Sequence, residues 1–162
     1  MKQTRTLHYT QFATPLGAFS VAVDADGAVA GAAFGGPEIL GKRLRGELLA
    51  RDDRRTAAVR SEIEAWFRGD RRDFSFALSP AGTAFQRRVW DALCRIPFGR
   101  TRSYGDLARS LRSSPRAVGR ANATNPICVI VPCHRVIGSD GSLTGYAFGE
   151  TTKQRLIAFE AA

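Results

Sequence analysis

TRSYGDLARSLRSSPRAVGRANAT, residues 101–124, decides the fold of the second half of the chain. Ser103 precedes a short run with apolar residues at helical spacing, and its hydroxyl can accept from a free backbone N–H, so a helix is predicted over Tyr104–Leu111. Ser113-Ser114-Pro115 ends that helix and opens the next, with Ser114 as cap and Pro115 at the first helical position. The second helix, Arg116–Thr124, is rich in Ala and Gly and carries Arg116 and Arg120. Two short helices joined by a tight turn, with basic residues on the second, fit a helix-turn-helix. A major-groove reader usually presents several long polar side chains to the bases. Here the small residues Ala117, Gly119, Ala121 and Ala123 let the backbone approach closely, which suits the narrower minor groove and weak sequence preference. Close packing against another helix asks for the same small residues.

Outward from this pair, Thr83–Arg95 reads as a helix with Phe85, Val89, Trp90 and Leu93 on one side, broken by Ile96-Pro97-Phe98-Gly99. The first third reads as β structure. Strands are predicted at Leu7–Phe12, at 18–23 with Phe19, Val21 and Val23 alternating, and at about 28–34. Asp24-Ala25-Asp26-Gly27 is a hairpin signal between the last two. Helices follow at 38–50 (Ile39, Leu40, Leu44, Leu48) and 56–68. In the second, Val59, Ile63, Trp66 and Phe67 form a stripe, Thr56 is the cap and Gly69 the stop. Residues 73–78 alternate and read as a strand. Ser79-Pro80-Ala81-Gly82 is a linker signal. The expected organisation is α+β, with a β-sheet plus helix domain over 1–79 and a mostly helical domain over 80–162.

Of 162 residues, 24 are Lys or Arg and 15 Asp or Glu, for a net charge of +9. The excess is concentrated: residues 1–80 carry 12 basic and 10 acidic side chains, residues 81–162 carry 12 and 5. Such a balance favours a polyanionic partner, most often nucleic acid. Arginine accounts for 21 of the 24 basic residues, which suits phosphate forks and base stacking; a GC-rich genome produces the same bias. The first residues, MKQTRTLHYTQF, hold no apolar run typical of a secretory signal, and no stretch approaches the ~20 apolar residues of a membrane helix. Three cysteines do not make a disulfide framework. A soluble, cytoplasmic protein with reduced thiols is expected.

After Asn125-Pro126, the apolar run Ile127–Val131 reads as a buried strand or extended segment. It delivers Pro132-Cys133-His134-Arg135-Val136. A cysteine beside His and Arg has surroundings that lower a thiol pKa, and a base nearby would raise the thiolate fraction. A structural buried cysteine would look the same. Cys94, Cys128, Cys133, His8 and His134 lack the paired close spacing of a zinc site.

The longer string is specific. Phe85-Gln-Arg-Arg-Val-Trp90, Ile96-Pro-Phe-Gly99, Thr101-Arg-Ser-Tyr104, Arg116-Ala-Val-Gly119, Asn125-Pro126, Val131-Pro-Cys-His-Arg-Val136 and Gly145-Tyr146 together resemble the O6-alkylguanine-DNA alkyltransferases, also called methylated-DNA–protein-cysteine methyltransferases. The resemblance covers the second half strongly and the first loosely. It implies a ribonuclease-H-like first domain and a winged helix-turn-helix second domain. It implies that Cys133 accepts the alkyl group from O6-alkylguanine, and less well from O4-alkylthymine, once per molecule. His134 would deprotonate Cys133 through a water, and Glu160, on a final helix over 152–161 with Leu156 and Phe159 inward, would orient His134. Tyr104 would donate to a ring nitrogen of the flipped base. Asn125 would hold the turn before the active-site segment. The carbonyls of Cys133 and Val136 would read the guanine amino group, with Tyr146 and Ala147 at the pocket wall. Arg116 would enter the base stack. The DNA-facing set would be Arg116, Ala117, Gly119, Arg120 and Ala121, joined by Tyr104 and Arg135. The partner implied is double-stranded DNA, held through its minor groove by a nucleoid-associated monomer without a cofactor.

Two departures stand out. Many members carry Gly-Gly where this chain has Phe148-Gly149, so an inward Phe148 would narrow the pocket. Some relatives hold zinc in the first domain, whereas no cysteine precedes Cys94 here, so no metal is expected. Cys94 and Cys128 read as buried thiols. The competing readings are a lesion sensor that flips guanine without chemistry, a winged-helix regulator and a turning-over thiol hydrolase. Cys133 argues against the first, since such relatives lack that cysteine.

Overall fold

The computed structural model describes residues 4–162; the first three residues of the N-terminal stretch read above for a signal lie outside them. The chain is a mixed α+β protein of two compact units, one ending at Ala81 and the other spanning Gly82–Ala162.

The first unit is built on a four-stranded sheet of order β3-β2-β1-β4. Strands β1 (Thr6–Thr14) and β2 (Gly17–Val23) form an antiparallel hairpin in which Phe12 faces Phe19, and β3 (Val29–Phe34) continues it. The Asp24–Gly27 turn closes as its residues dictate. Asp24 Oδ1 accepts from the N–H groups of Asp26 and Ala28 at 2.9 and 3.0 Å, and Gly27 takes φ +83°, which a side chain would oppose. Strand β3 is fully buried. Its small residues are a packing requirement: a Cβ on Gly31 would lie 2.8 Å from Leu44 Cδ2.

Helix α1 spans only Pro37–Arg43. The predicted helix through residue 50 is therefore too long. Leu48 keeps helical spacing from Leu44, but Arg45 and Gly46 adopt φ +40° and +84° and redirect the chain. Leu48–Arg51 becomes β4, parallel to β1 with Thr6 opposite Leu48. Leu48 is accordingly 60% exposed.

Helix α2 (Ala57–Phe67) buries the expected stripe, Val59, Ile63, Trp66 and Phe67. Phe67 meets Phe19 edge-on at 5.7 Å. Thr56 does not cap it: the Thr56 hydroxyl donates to the carbonyl of Asp52 at 2.8 Å, and the Asp52 carboxylate accepts from the N–H groups of Arg54 and Arg55. At the other end Gly69 (φ +82°) and Asp70 return N–H groups to Trp66 and Ala65, the left-handed stop. Residues 73–78 form no strand. They contribute one bridge, Leu78 to Val29, because alternation alone supplies no neighbour for a full ladder.

In the second unit the first three α-helices carry side-chain caps at their starts, and the last does not. Thr83 and Gln86 form a capping box on α3 (Ala84–Cys94), and Ser103 and Asp106 form one on α4 (Tyr104–Leu111). Ser114 accepts from Ala117 N at 3.1 Å at the start of α5 (Pro115–Ala123). Between α4 and α5, Arg112 adopts φ +52° and turns the chain sharply. The two-residue strands β5 (Arg102–Ser103) and β6 (Val136–Ile137) pair in parallel, and α6 (Glu150–Ala161) closes the unit. Cys94, expected to be buried, is exposed at the end of α3, whereas Cys128 is buried.

Candidate active site

The run Ile127–Val131 is buried throughout but is not a strand. Apart from an isolated bridge at Ile127 it joins no sheet ladder among the described residues, so its polar backbone needs other partners. Asn125 supplies them: Nδ2 donates to the carbonyl of Val131 at 2.9 Å and Oδ1 accepts from Ile127 N at 3.0 Å. The segment folds into tight turns in which Val129 takes φ +69°, an uncommon conformation for a β-branched residue. It ends in a one-turn 3-10 helix, Cys133–Arg135, and Cys133 is its first residue, 5% exposed.

Behind Cys133 lies a buried charged cluster. His134 is fully buried, and its Nε2 stands 3.0 Å from Glu160 Oε2. Glu160 projects inward from α6 and is itself 5% exposed, not a solvated helix-end carboxylate. Arg135 forks onto it, with Nε 2.9 Å from Oε1 and the NH2 nitrogen 2.7 Å from Oε2, and its NH1 nitrogen donates to the carbonyl of Ile96 at 2.6 Å. Arg135 is thus corrected from a DNA-facing residue to an interior one: it is 7% exposed and its charge is spent on Glu160.

These contacts fix the protonation pattern. Burial would push the Glu160 carboxyl up, but hydrogen bonds and charge from His134 and Arg135 outweigh it and hold the group below its ordinary value. Burial pushes His134 down, against the opposing pull of Glu160. A neutral imidazole beside an ionised carboxylate carries its proton on Nε2 and donates to Glu160. The other ring nitrogen, Nδ1, is then an acceptor, and it is buried without a protein partner.

Tyr104, the first residue of α4, is half-buried. It lines a cavity of about 410 Å³ with Pro115, Arg116, Gly119, Thr144 and Gly145, within the range of small-ligand sites. Burial, then the charge of Cys133, raise the Tyr104 pKa, while a hydrogen bond from Asn122 opposes them. Arg116 and Arg120 are exposed on α5, and Ala117 and Gly119 are half-exposed. Ala121 is corrected: it is 2% exposed and its carbonyl accepts from Trp90 Nε1 at 2.8 Å. Its small side chain serves helix packing. Val136 and Tyr146 are buried and Ala147 is exposed. The Cys133 carbonyl accepts from Val136 N and lies 3.5 Å from Asn122 Nδ2.

Two residues escaped the sequence reading. Lys153 is fully buried on α6, its Nζ donates to the carbonyl of Thr144 at 3.3 Å, and it lies 5.9 Å from the Tyr104 ring centroid. Burial pushes its pKa down while the charges of Cys133 and Glu150 push it up. The signal was present: Lys153, Leu156 and Glu160 share one helix face at spacings of three and four. Asn122 is 2% exposed and sits between Tyr104 and Cys133. Among the described residues no cluster of three or more metal-binding side chains occurs, and no helix is long and apolar enough to cross a membrane.

Residues 84–162 match the family model described as 6-O-methylguanine DNA methyltransferase, DNA binding domain. A protein of Bacillus subtilis named methylated-DNA–protein-cysteine methyltransferase, inducible, is 46% identical over 121 residues, which cover 74% of this chain and 68% of that one. The chain belongs to the methylated-DNA–protein-cysteine methyltransferase family. A Methanosarcina mazei member is 51% identical over 104 residues; the match takes in 63% of this chain and 66%, just under two thirds, of the relative's length. The crystal structure of Mycobacterium tuberculosis OGT in complex with DNA superposes with a TM-score of 0.82 at 37% identity, covering 95% of this chain and 92% of that one.

Proposed function

We propose that this methyltransferase-family chain repairs DNA by moving the alkyl group of O6-alkylguanine, and less readily of O4-alkylthymine, onto its own Cys133. The observation that carries this reading is the buried series Cys133, His134, Glu160, with His134 Nδ1 left as an unpartnered acceptor. Nδ1 would draw the Cys133 proton through a water, with Glu160, itself held by Arg135, orienting the imidazole. The sulfur then attacks the alkyl carbon, the carbon–O6 bond breaks, and its electrons go to the guanine ring. A proton from Tyr104 supports that charge. The thioether is not reversed, so each molecule acts once.

DNA would be held as double strand by a monomer in the cytoplasm, on the nucleoid. In this proposal α4 and α5 form a helix-turn-helix within a winged domain over 80–162. Domain 1–79 is the ribonuclease-H-like one. The small, half-exposed Ala117 and Gly119 admit the minor-groove backbone, and Arg120 meets phosphate. Asn125 keeps the active-site segment in register with α5. Val136 and Tyr146 bound the base, and Ala147 stands at the exposed rim. Arg116, exposed at the cavity mouth, fills the gap left by the extruded nucleotide. Arg116→Ala should slow repair in a fully paired duplex about tenfold. The loss should shrink where the lesion sits in an unpaired bubble, because extrusion there is cheap; single-turnover rates on the two substrates test this.

Phe148 is half-buried and packs edge-on against Tyr146, with ring centroids 5.6 Å apart, so it adds bulk to that wall. Benzyl transfer should be slower than methyl transfer, and Phe148→Ala should raise the benzyl rate about tenfold while leaving methyl transfer nearly unchanged. Equal benzyl and methyl rates in the parent protein would refute this.

The deciding experiment mixes the protein with a duplex carrying one O6-methylguanine, then takes an intact mass and a peptide map. The expected result is a gain of one CH2 on the Cys133 peptide, limited to one per chain. Tight lesion binding with no mass gain would mark a lesion-binding protein without chemistry.

A further inference from the structure

The amide of Asn122 has only one workable orientation. It is buried between α4 and the Cys133 turn, with Nδ2 3.4 Å from the Tyr104 hydroxyl oxygen and 3.5 Å from the Cys133 carbonyl. The carbonyl can only accept, so the amide must present its NH2 group there. Reversed, it would set oxygen against oxygen and leave a buried NH2 without an acceptor. The orientation adopted still strands Oδ1, which is buried without a partner. An orphaned buried acceptor marks a constraint other than local satisfaction.

The consequence falls on Tyr104. A phenol has one proton to give and lone pairs with which to accept. Because Asn122 donates to it, the Tyr104 proton cannot be spent on Asn122. Tyr104 faces the cavity, and a Cβ on Gly145 would lie 3.2 Å from its hydroxyl oxygen, so only a residue without a side chain leaves that side open. We infer that Asn122 is a positioning residue that fixes Tyr104 as a donor into the cavity, making the site selective for a ligand that offers an acceptor there. This rests on the alkyl-transfer reading and deepens it: the acceptor is a ring nitrogen of the leaving guanine, and the preset donor needs no reorientation as charge builds.

The two substitutions of Asn122 that remove the amide have unequal consequences. Asn122→Asp is nearly isosteric but offers only acceptors, so it captures the Tyr104 proton. Asn122→Leu offers neither, and leaves the proton unspent but less well directed. Single-turnover methyl transfer from an O6-methylguanine duplex is measured for the parent, Asn122→Asp, Asn122→Leu, Tyr104→Phe and both double variants, alongside affinity for undamaged duplex. Asn122→Asp and Tyr104→Phe should each slow transfer about tenfold or more, and Asn122→Leu about threefold. On top of Tyr104→Phe neither should add a further loss, since coupled residues are not additive. Affinity for undamaged duplex should not move.

Equal losses for Asp and Leu, or losses that multiply with Tyr104→Phe, would show a merely structural role and overturn the inference. Should Asn122→Asp fail to fold, Asn122→Leu decides: a threefold cost with Tyr104 present and none on top of Tyr104→Phe supports the inference, and any other pair of results rejects it. Failure of the parent protein to methylate Cys133 would instead bring down the reading of function. Methylation without the coupling brings down this inference alone.

Discussion

A Cys133→Ser protein should bind a duplex carrying O6-methylguanine as the parent does and leave the methyl group where it is. Serine differs from cysteine by one atom, and the contacts joining His134, Arg135, Glu160 and the Ile96 carbonyl do not pass through that atom. What changes is the nucleophile. A hydroxyl remains protonated under conditions in which a supported thiol ionises, and oxygen is the poorer donor to an alkyl carbon. Loss of a nucleophile typically costs roughly 10⁴-fold or more in rate. Single-turnover assays should therefore show no transfer over many parent half-times, with the lesion still shifted in a gel. Cys94 supplies the internal control. It is exposed at the end of α3, yet packing around its sulfur and the nearby Asp91 push its thiol up to about 11, so it stays protonated near neutral pH. Methyl groups appearing on Cys94, or persisting transfer in the serine variant, would refute Cys133 as acceptor.

The parts of this site that could be read from sequence are those fixed by neighbours along the chain. Ser103 and Ser114-Pro115 announce α4 and α5 because capping is settled within four residues. The long-range parts were harder. Ile127–Val131 has the composition of a buried strand, and nothing local distinguishes that from buried turns held by one upstream amide; Asn125 makes the difference. Arg135 follows His134 on the chain, and a basic residue in a DNA-binding half reads as a phosphate contact. Only the fold reveals that Glu160, 25 positions away, takes its charge. Residues 38–50 misled for the opposite reason. Their helical spacing is real, but Gly46 turns the chain, and β1 offers β4 an edge that no local window contains.

Glu160→Gln should weaken both the fold and the reaction, since one carboxylate serves both. Gln keeps the shape but removes the charge that balances a guanidinium 7% exposed, and breaking a buried pair from one side costs about 3 kcal/mol. For a unit of this size that lowers Tm by roughly 15 °C. Transfer should fall by about 10² as His134 loses the partner that fixes its proton on Nε2. The pH dependence separates the two groups. His134 lies below its ordinary 6.5 in the folded state, so the unfolded chain binds that proton first and stability drops as pH falls below about 6.5. Glu160 lies below its ordinary 4.5, so a second loss follows as pH falls through that value toward the folded pKa. In the Gln variant the second loss should vanish. The first should deepen, because the carboxylate that supported a protonated His134 is gone. Urea midpoints at pH 8, 6, 5 and 4 give both steps. A variant with the parent's Tm and an unchanged acid profile would mean that Arg135 and His134 do not depend on Glu160, and the base assigned to Cys133 would lose its support.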